Sequence, residues 1–225
     1  MFRSSSRIPV LILLALAVGS VAISCAAESS GTGSNYTAGG GSSTSPTPAG
    51  ATEQNHRLDA MPASEEEFVA LRDRMATTPQ GAAVCFAVAL IIYAENADLG
   101  AVAIARMLDR DQLDNSGDVP MLRAMDTSKL HRYVADAPNA VRSLLTSATP
   151  ANSYEIGTGP WTLRTREQRG DVRGDTAKIF VFSTGADTPR PVSMKKNSAG
   201  LWKVTEWSSL VVAVRKPATT TTDNY

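Results

Sequence analysis

The 225-residue chain has 22 basic and 22 acidic side chains, and its formal net charge is zero. Hydrophobic residues make up 43% of the sequence, which is enough to form a folded core. Only two cysteines are present, so a small disulfide-rich scaffold is excluded. Two histidines leave few side chains that could carry protons near neutral pH.

The N-terminal 24 residues have the pattern of a signal peptide. Two arginines precede an apolar run at residues 8–23, which as a helix would measure about 24 Å, short of a hydrocarbon core of about 30 Å. The run ends in Ala22-Ile-Ser-Cys25, which resembles a lipobox, so we expect cleavage before Cys25 and a lipid on that cysteine. Leucine is usual where Ala22 stands, and cleavage after Ala26 with simple secretion is the alternative. Either route predicts a domain in the cell envelope or outside it, where we expect no nucleic acid partner.

Three segments are predicted behind the signal peptide. Residues 25–54 predict a flexible linker, because Gly, Ser, Thr, Ala and Pro cannot bury enough apolar surface to order the chain. Its root-mean-square length of about 30 Å would separate the next segment from the membrane. We predict one folded domain at residues 55–216 and a disordered tail at residues 217–225. Cys85 lies in an apolar run at residues 82–94 and is expected to be buried and inert.

The first half of the domain has helical patterns. Ser64 and Glu67 predict a capping box that opens a helix ending near Met75. Thr78-Pro79 predicts the start of a helix that is apolar on all sides, which must lie at the centre of the fold. Three further helices are predicted to begin at Asp98, at Thr127 or Ser128, and at Pro138.

The second half changes to the two-residue alternation of β-strands. Strands are predicted at residues 161–166, 178–182, 191–196, 201–207 and 210–215. Short connections rich in Gly, Asp, Asn and Ser join them, which favours an antiparallel meander of four to five strands. The order of elements predicts an α+β fold, with four to five N-terminal helices packed on one face of the C-terminal sheet.

Charge is divided along the same boundary. Residues 53–149 have a net charge of −5, and residues 150–217 have a net charge of +5. In one interpretation the two halves attract each other and the cations lie on the edges and solvent face of the sheet. In the other, the cations form an anion-binding face that comprises Arg164, Arg166, Arg190, Lys195, Lys196 and Lys203. We favour the first.

No familiar catalytic or metal-binding motif is present. Neither His56 nor His131 belongs to a recognisable motif, so no catalytic residue is predicted. The acidic stretch at residues 109–118 lacks the ligand alternation of an EF-hand, because Leu113 stands where an oxygen ligand is required. We therefore predict neither a metal site nor a cofactor.

Four residues are candidate ligand contacts: Arg190, Lys195, Trp202 and Trp207. The spacing of the two tryptophans puts them on opposite faces of a strand, so we expect one to close the core and the other to be exposed, covered by a helix or offered to a ligand. Arg190 stands between two prolines that stiffen its loop, so it could contact an anion or clamp the loop.

Residues 188–210 resemble the end of an uncharacterised domain found in bacterial lipoproteins and other exported proteins, a family that implies no assigned activity. The stretch Gly200-Leu-Trp-Lys-Val204 is also similar to the closing hairpin of cone folds of the nuclear-transport-factor-two type. That similarity implies a pocket between helices and sheet. The helices expected between residues 121 and 149 depart from the cone pattern.

The leading hypothesis is a non-enzymatic envelope module that binds a partner protein or a small ligand. It requires a contiguous apolar or basic surface patch. The alternative is a cone-fold hydrolase or isomerase with His131 or a carboxylate such as Glu206 as base, which requires one of these groups inside a pocket. A structural envelope spacer, the third hypothesis, requires neither feature.

Replacement of Cys25 by serine tests the lipid anchor. We expect the Cys25→Ser variant to leave the membrane fraction, because the serine hydroxyl cannot replace the thiol that receives the lipid. Fractionation of cells followed by immunoblotting measures the distribution. Retention of the variant in the membrane fraction would contradict the prediction.

Overall fold

A computed structural model describes residues 49–218, which form an α+β fold. The predicted signal peptide, the predicted lipid site Cys25, the predicted linker up to residue 48 and the tail from residue 219 lie outside the described residues. No helix within the described part is long and apolar enough to cross a membrane.

Five α-helices follow the first strand within residues 49–218. They are α1 (Glu65–Met75), α2 (Pro79–Glu95), α3 (Ala97–Met107), α4 (Ala124–Leu130) and α5 (Asn139–Arg142). A π-helical turn, His131–Ala135, directly follows α4. The strands are β1 (Thr52–Leu58), β2 (Leu113–Asp114), β3 (Met121–Leu122), β4 (Trp161–Glu167), β5 (Val172–Arg173), β6 (Thr176–Val181), β7 (Arg190–Lys196) and β8 (Trp202–Glu206).

The main sheet is antiparallel throughout and has the strand order β1-β4-β6-β7-β8, with β5 paired to the start of β6. The short strands β2 and β3 form a separate hairpin. The predicted fold class is therefore confirmed: the helices come mostly before an antiparallel C-terminal sheet.

Helix α2 is the centre of the core. Every residue from 81 to 93 is buried, as expected for a helix without a polar face. It begins as predicted, because Pro79 occupies its first turn and the Thr78 hydroxyl accepts a hydrogen bond from the Gly81 amide at 3.1 Å. Cys85 is fully buried, as expected, and burial raises the pKa of its thiol to about 12.

Helix α1 has the predicted N-terminus with one change in its capping. The Ser64 hydroxyl accepts from the Glu67 amide at 3.2 Å, as in a capping box. The Glu67 carboxylate, however, accepts from the amide of Ala63 at 2.8 Å, one residue before the cap. Two N–H groups at the helix start are thus satisfied.

Two other helix starts differ from the predicted ones. Asn96 caps α3 by accepting from the Leu99 amide at 3.1 Å, so the prediction of Asp98 as the cap is wrong. Asn96 also ends α2, which leaves only one residue between the two helices. Helix α4 begins at Ala124 rather than at residue 127 or 128.

Strand β1 was not predicted from the sequence. It begins at Thr52, inside the segment predicted as linker, and all seven of its residues pair with β4. Its sequence is almost entirely polar because it is an edge strand with mostly exposed side chains, so apolar alternation is absent. His56 lies on this strand, and its Nε2 atom is 2.8 Å from the Thr165 hydroxyl.

The prediction of a strand at residues 210–215 is wrong. Residues Ser208–Val211 form a 3₁₀ turn, and the chain beyond it is irregular. The outer edge of β8 is already in use, because the Trp202 amide donates to the Ala76 carbonyl and the Val204 carbonyl accepts from the Asp109 amide, both at 2.8 Å. An apolar segment that arrives after β8 therefore finds no open edge there.

The close approach of α2 and α3 gives a stability test. A Cβ atom added to Gly100 would lie 2.1 Å from the Cα atom of Tyr93, so Gly100→Ala must push the two helices apart. We expect unfolding free energy to fall by about 2 kcal/mol, although alanine favours a helix over glycine by about 1 kcal/mol.

Urea denaturation measures this change, with Gly117→Ala as the matched control. A Cβ atom at Gly117 meets nothing closer than 4.0 Å, and the backbone there is compatible with alanine. Equal stabilities of the two variants would contradict the packing argument.

Candidate functional site

A groove of about 550 Å³ lies between the C-terminal segment, residues 208–217, and the chain from α4 to α5. We call it the C-terminal groove. Its segment wall includes the apolar residues 211–214, and its helix wall includes Tyr133, Ala137 and Ala140. Tyr133 and Val212 are 43% and 53% exposed, which is high for large apolar side chains within one concave surface.

The segment wall is held in place by Arg190 although it belongs to no sheet. The buried guanidinium donates from Nη1 to the Ser209 carbonyl at 2.7 Å and from Nη2 to the Ala213 carbonyl at 3.2 Å. Burial lowers the pKa of Arg190. Arg190 therefore clamps the C-terminal segment rather than its own loop, and it is the first residue of β7.

Tyr154 anchors the same segment further along the chain. Its hydroxyl donates to the Arg215 carbonyl at 2.7 Å, and the Arg215 amide donates to the Gly185 carbonyl at 2.9 Å. Tyr154 is fully buried and has a φ of 60°, a left-handed conformation that costs a non-glycine residue free energy. The surrounding contacts outweigh that cost, so the segment wall is rigidly attached to the domain.

The helix wall contains the π-helical turn. The Asp136 amide donates to the His131 carbonyl at 3.0 Å, five residues back, in place of the four-residue step of an α-helix. Such turns are rare and are found frequently at functional sites. Here the turn carries Tyr133, so the widened backbone helps to place an aromatic ring on the groove.

Trp207 lies behind the groove. Its ring packs on Phe86 of α2, with ring centroids 5.7 Å apart, and the Lys129 ammonium lies 4.4 Å from its centre. Trp207 is buried, so among its predicted environments the helix-covered one is correct. The tryptophan positions Lys129, which lines the groove.

The other two predicted contacts lie elsewhere. Lys195 bridges two aspartates, with Nζ 3.2 Å from Asp109 and 3.1 Å from Asp111, and hydrogen bonds to both raise its pKa. Trp202 is buried in the sheet and presents no open ring to a ligand. None of the four candidates lines the C-terminal groove, although Arg190 and Trp207 contact residues that do.

The six cations of the proposed anion-binding face each contact a nearby group of the domain, and Arg164 and Arg166 both lie over the Phe182 ring. Arg164 pairs with Glu53 at 2.8 Å and lies over Phe182, whereas Arg190 faces the C-terminal segment. Lys203 donates to the Arg106 carbonyl, and burial, assisted by nearby arginines, lowers its pKa to about 8. These contacts favour the interpretation in which the cations serve local structure.

A second groove, of about 810 Å³, lies between α3 and the β2–β3 hairpin, and we call it the hairpin groove. Its lining includes Val102, Val119 and Met121 together with charged side chains of both signs. Arg106 pairs with Glu65 across it at 2.5 Å. Opposite charges therefore neutralise each other at this part of the hairpin groove.

Neither of the two suggested catalytic bases lies in a groove. The His131 side chain is 72% exposed and lies 3.3 Å from Asp136. Glu206 is exposed, and hydrogen bonds from the Ser208 hydroxyl and amide lower its pKa. Neither residue lines the C-terminal or the hairpin groove. No cluster of three potential metal ligands occurs among residues 49–218.

These features define an α+β domain with an apolar groove beside its sheet. Residues 60–218 match the model of a domain of unknown function (DUF6935), and the chain belongs to this family. The match agrees with the resemblance of residues 188–210 to an uncharacterised domain, whereas the cone-fold similarity stays a prediction. No curated protein and no solved structure matches the chain significantly.

The groove was missed at the sequence level for a specific reason. The apolar run that starts at Leu210 has the composition of a strand, and sequence alone does not reveal that the edge of β8 is occupied. Tyr133 gives no signal, because a π-helical turn has no composition of its own. The prolines around Arg190 were the one usable indication, since they pointed to a rigid arginine.

If Arg190 clamps the C-terminal segment, that segment should lose order in an Arg190→Met variant. Methionine keeps most of the side-chain length but removes both hydrogen bonds. Because bonds from charged donors contribute about 1.5–3 kcal/mol each and burial of the charge offsets part of this, we expect a net loss of about 2 kcal/mol. Hydrogen exchange should accelerate at the amides of Val212 and Arg215.

Arg57→Met is the matched control, because the Arg57 side chain is 69% exposed and pairs only with the neighbouring Asp59. It should leave both unfolding free energy and exchange nearly unchanged. Unaltered exchange at residues 211–217 in Arg190→Met would rule out the clamp.

Proposed function

We propose that this protein is a lipoprotein of the cell envelope, anchored through Cys25, whose domain binds an apolar ligand in the C-terminal groove. The observation that carries the proposal is the groove itself: a concave surface with apolar side chains on both walls. Soluble domains rarely leave such surfaces open without a binding partner. The anchor and linker are supported by the sequence alone.

The size and chemistry of the groove fit a small molecule. Its volume of about 550 Å³ lies in the range of about 300–1,000 Å³ that is common for ligand sites. Those sites are mostly apolar with a few polar groups that orient the ligand, and the polar residue Asn139 lines the groove here.

The rigidity of the walls supports the same proposal. A ligand that enters a preformed groove does not have to order the protein, so more of the contact energy contributes to affinity. Arg190 and Tyr154 hold one wall by three side-chain hydrogen bonds to its carbonyl groups. An irregular segment without these anchors would be a poor binding surface.

A partner protein at the hairpin groove is the second candidate. Val119 and Met121 are 61% and 65% exposed there, and Met125, in the first turn of α4, is also exposed. Methionine-rich surfaces adapt to protein partners. The enzyme hypothesis has no comparable support, because neither His131 nor Glu206 lines a groove.

A charge placed in the C-terminal groove tests the main proposal. The full chain with Cys25→Ser, which lacks the thiol for lipid attachment, is titrated with the neutral apolar fluorophore N-phenylnaphthylamine. We expect saturable binding at one site. The further change Val212→Glu should weaken it at least about tenfold, because the ligand would meet an ionised group on an apolar wall.

Val119→Glu is the matched control, since it adds the same charge to an exposed valine in the hairpin groove. It should change the affinity less than about twofold, a difference of under about 0.4 kcal/mol. The proposal is wrong if the fluorophore does not bind, or if Val119→Glu rather than Val212→Glu abolishes binding.

A further inference from the structure

The charged residues that line the C-terminal groove all have the same sign. Lys129, Arg215 and Lys216 are basic, and no acidic residue is among the described lining residues. The hairpin groove differs, because Glu65, Asp109 and Asp118 accompany its cations. A groove with apolar walls and cations of one sign concentrates a positive potential, since its walls screen charge less than water does.

The three cations differ in how strongly they are engaged. Lys129 lies over the Trp207 ring, and its charge also helps to lower the pKa of Glu206. Arg215 forms an ion pair with Asp187. Lys216 is exposed and has no ion pair within residues 49–218. At least one full positive charge is therefore available to a ligand at the end of the segment wall.

The apolar and basic parts of the groove are also contiguous along the chain. Residues 211–214 are apolar, and the basic pair Arg215-Lys216 follows at once. The Tyr154 hydrogen bond fixes the backbone where the two parts meet, because it holds the Arg215 carbonyl at 2.7 Å. A ligand that matches this order has an apolar body next to an acidic group.

We propose that the C-terminal groove binds a single anionic amphiphile: one apolar chain against residues 211–214 and the helix wall, with its acidic group at Lys216, Arg215 and Lys129. The inference rests on the proposed function and names the chemical class of the ligand. A carboxylate and a phosphate monoester share this chemistry. A free amphiphile fits better than a membrane surface, because the apolar side chains line a concave groove.

The test compares three ligands with the same twelve-carbon chain and different head charges. Dodecanoate, dodecanol and dodecyltrimethylammonium are titrated calorimetrically, below their aggregation concentrations, into the full chain with Cys25→Ser. We expect dodecanoate to bind most tightly and the cationic ligand least. Salt should weaken the binding of dodecanoate and leave that of dodecanol unchanged, because only the first depends on charge.

The length of the ligand's alkyl chain tests how much apolar contact contributes to the affinity. Each methylene that enters the groove should tighten binding by up to about fourfold, so decanoate should bind more weakly than dodecanoate by up to about sixteenfold. Failure of affinity to rise from decanoate to dodecanoate would overturn the placement of the chain.

Lys216→Glu measures the charge contribution. We expect the variant to bind dodecanoate about fivefold more weakly and to change the affinity for dodecanol by less than about twofold. Only the anion meets the reversed charge. Lys178→Glu is the matched control, because it makes the same charge change on β6, at an exposed side chain outside the groove. Equal weakening of dodecanoate by both variants would overturn the inference.

The remaining outcomes separate this inference from the proposed function. If dodecanol binds as tightly as dodecanoate, the anionic class is wrong while the apolar groove stands. If no twelve-carbon ligand and no N-phenylnaphthylamine binds, both proposals fail. Binding to phosphatidylglycerol vesicles without any binding of free dodecanoate would overturn the single-amphiphile inference in favour of a membrane-docking surface.

Discussion

The burial of helix α2 from residue 81 to residue 93 is the constraint on which the rest of the structure depends. A helix without a polar face is stable only when other elements cover all of its sides. Helices α1 and α3 cover part of it, the sheet strands β4, β6 and β8 cover another part, and the chain around the π-helical turn adjoins it too. Gly100 is needed where α3 approaches the backbone at Tyr93, because no larger side chain fits there.

This packing explains how the C-terminal groove arises. The ends of helices α1 and α3 reach the outer edge of β8 and use its hydrogen-bonding groups, so the final apolar segment cannot add a strand there. Arg190 and Tyr154 instead attach the segment through its carbonyl groups. The segment consequently faces α4 and α5 across a gap, and its valines line that gap without closing it.

The lining of the C-terminal groove combines apolar side chains with basic ones. The groove places three cations beside apolar walls, and the described part of its lining includes neither histidine nor carboxylate. Of the side chains that commonly transfer protons in enzymes, the lining includes the Tyr133 hydroxyl and the amines of Lys129 and Lys216. The Arg190 guanidinium does not line the groove, because it donates hydrogen bonds to two backbone carbonyls of the C-terminal segment.

Sequence by itself determined the α+β class, the capped start of α1, the proline-led start of α2 and the buried state of Cys85, because these follow from local capping and hydrophobic patterns. Only the tertiary structure decided the fate of two segments whose composition is misleading. Polar residues 52–58 became an edge strand because β4 offers them a partner, and apolar residues 210–215 became a groove wall because β8 offers none. Strand pairing and pocket formation depend on which backbone edges remain open after the core has packed, and a linear sequence does not contain that information locally.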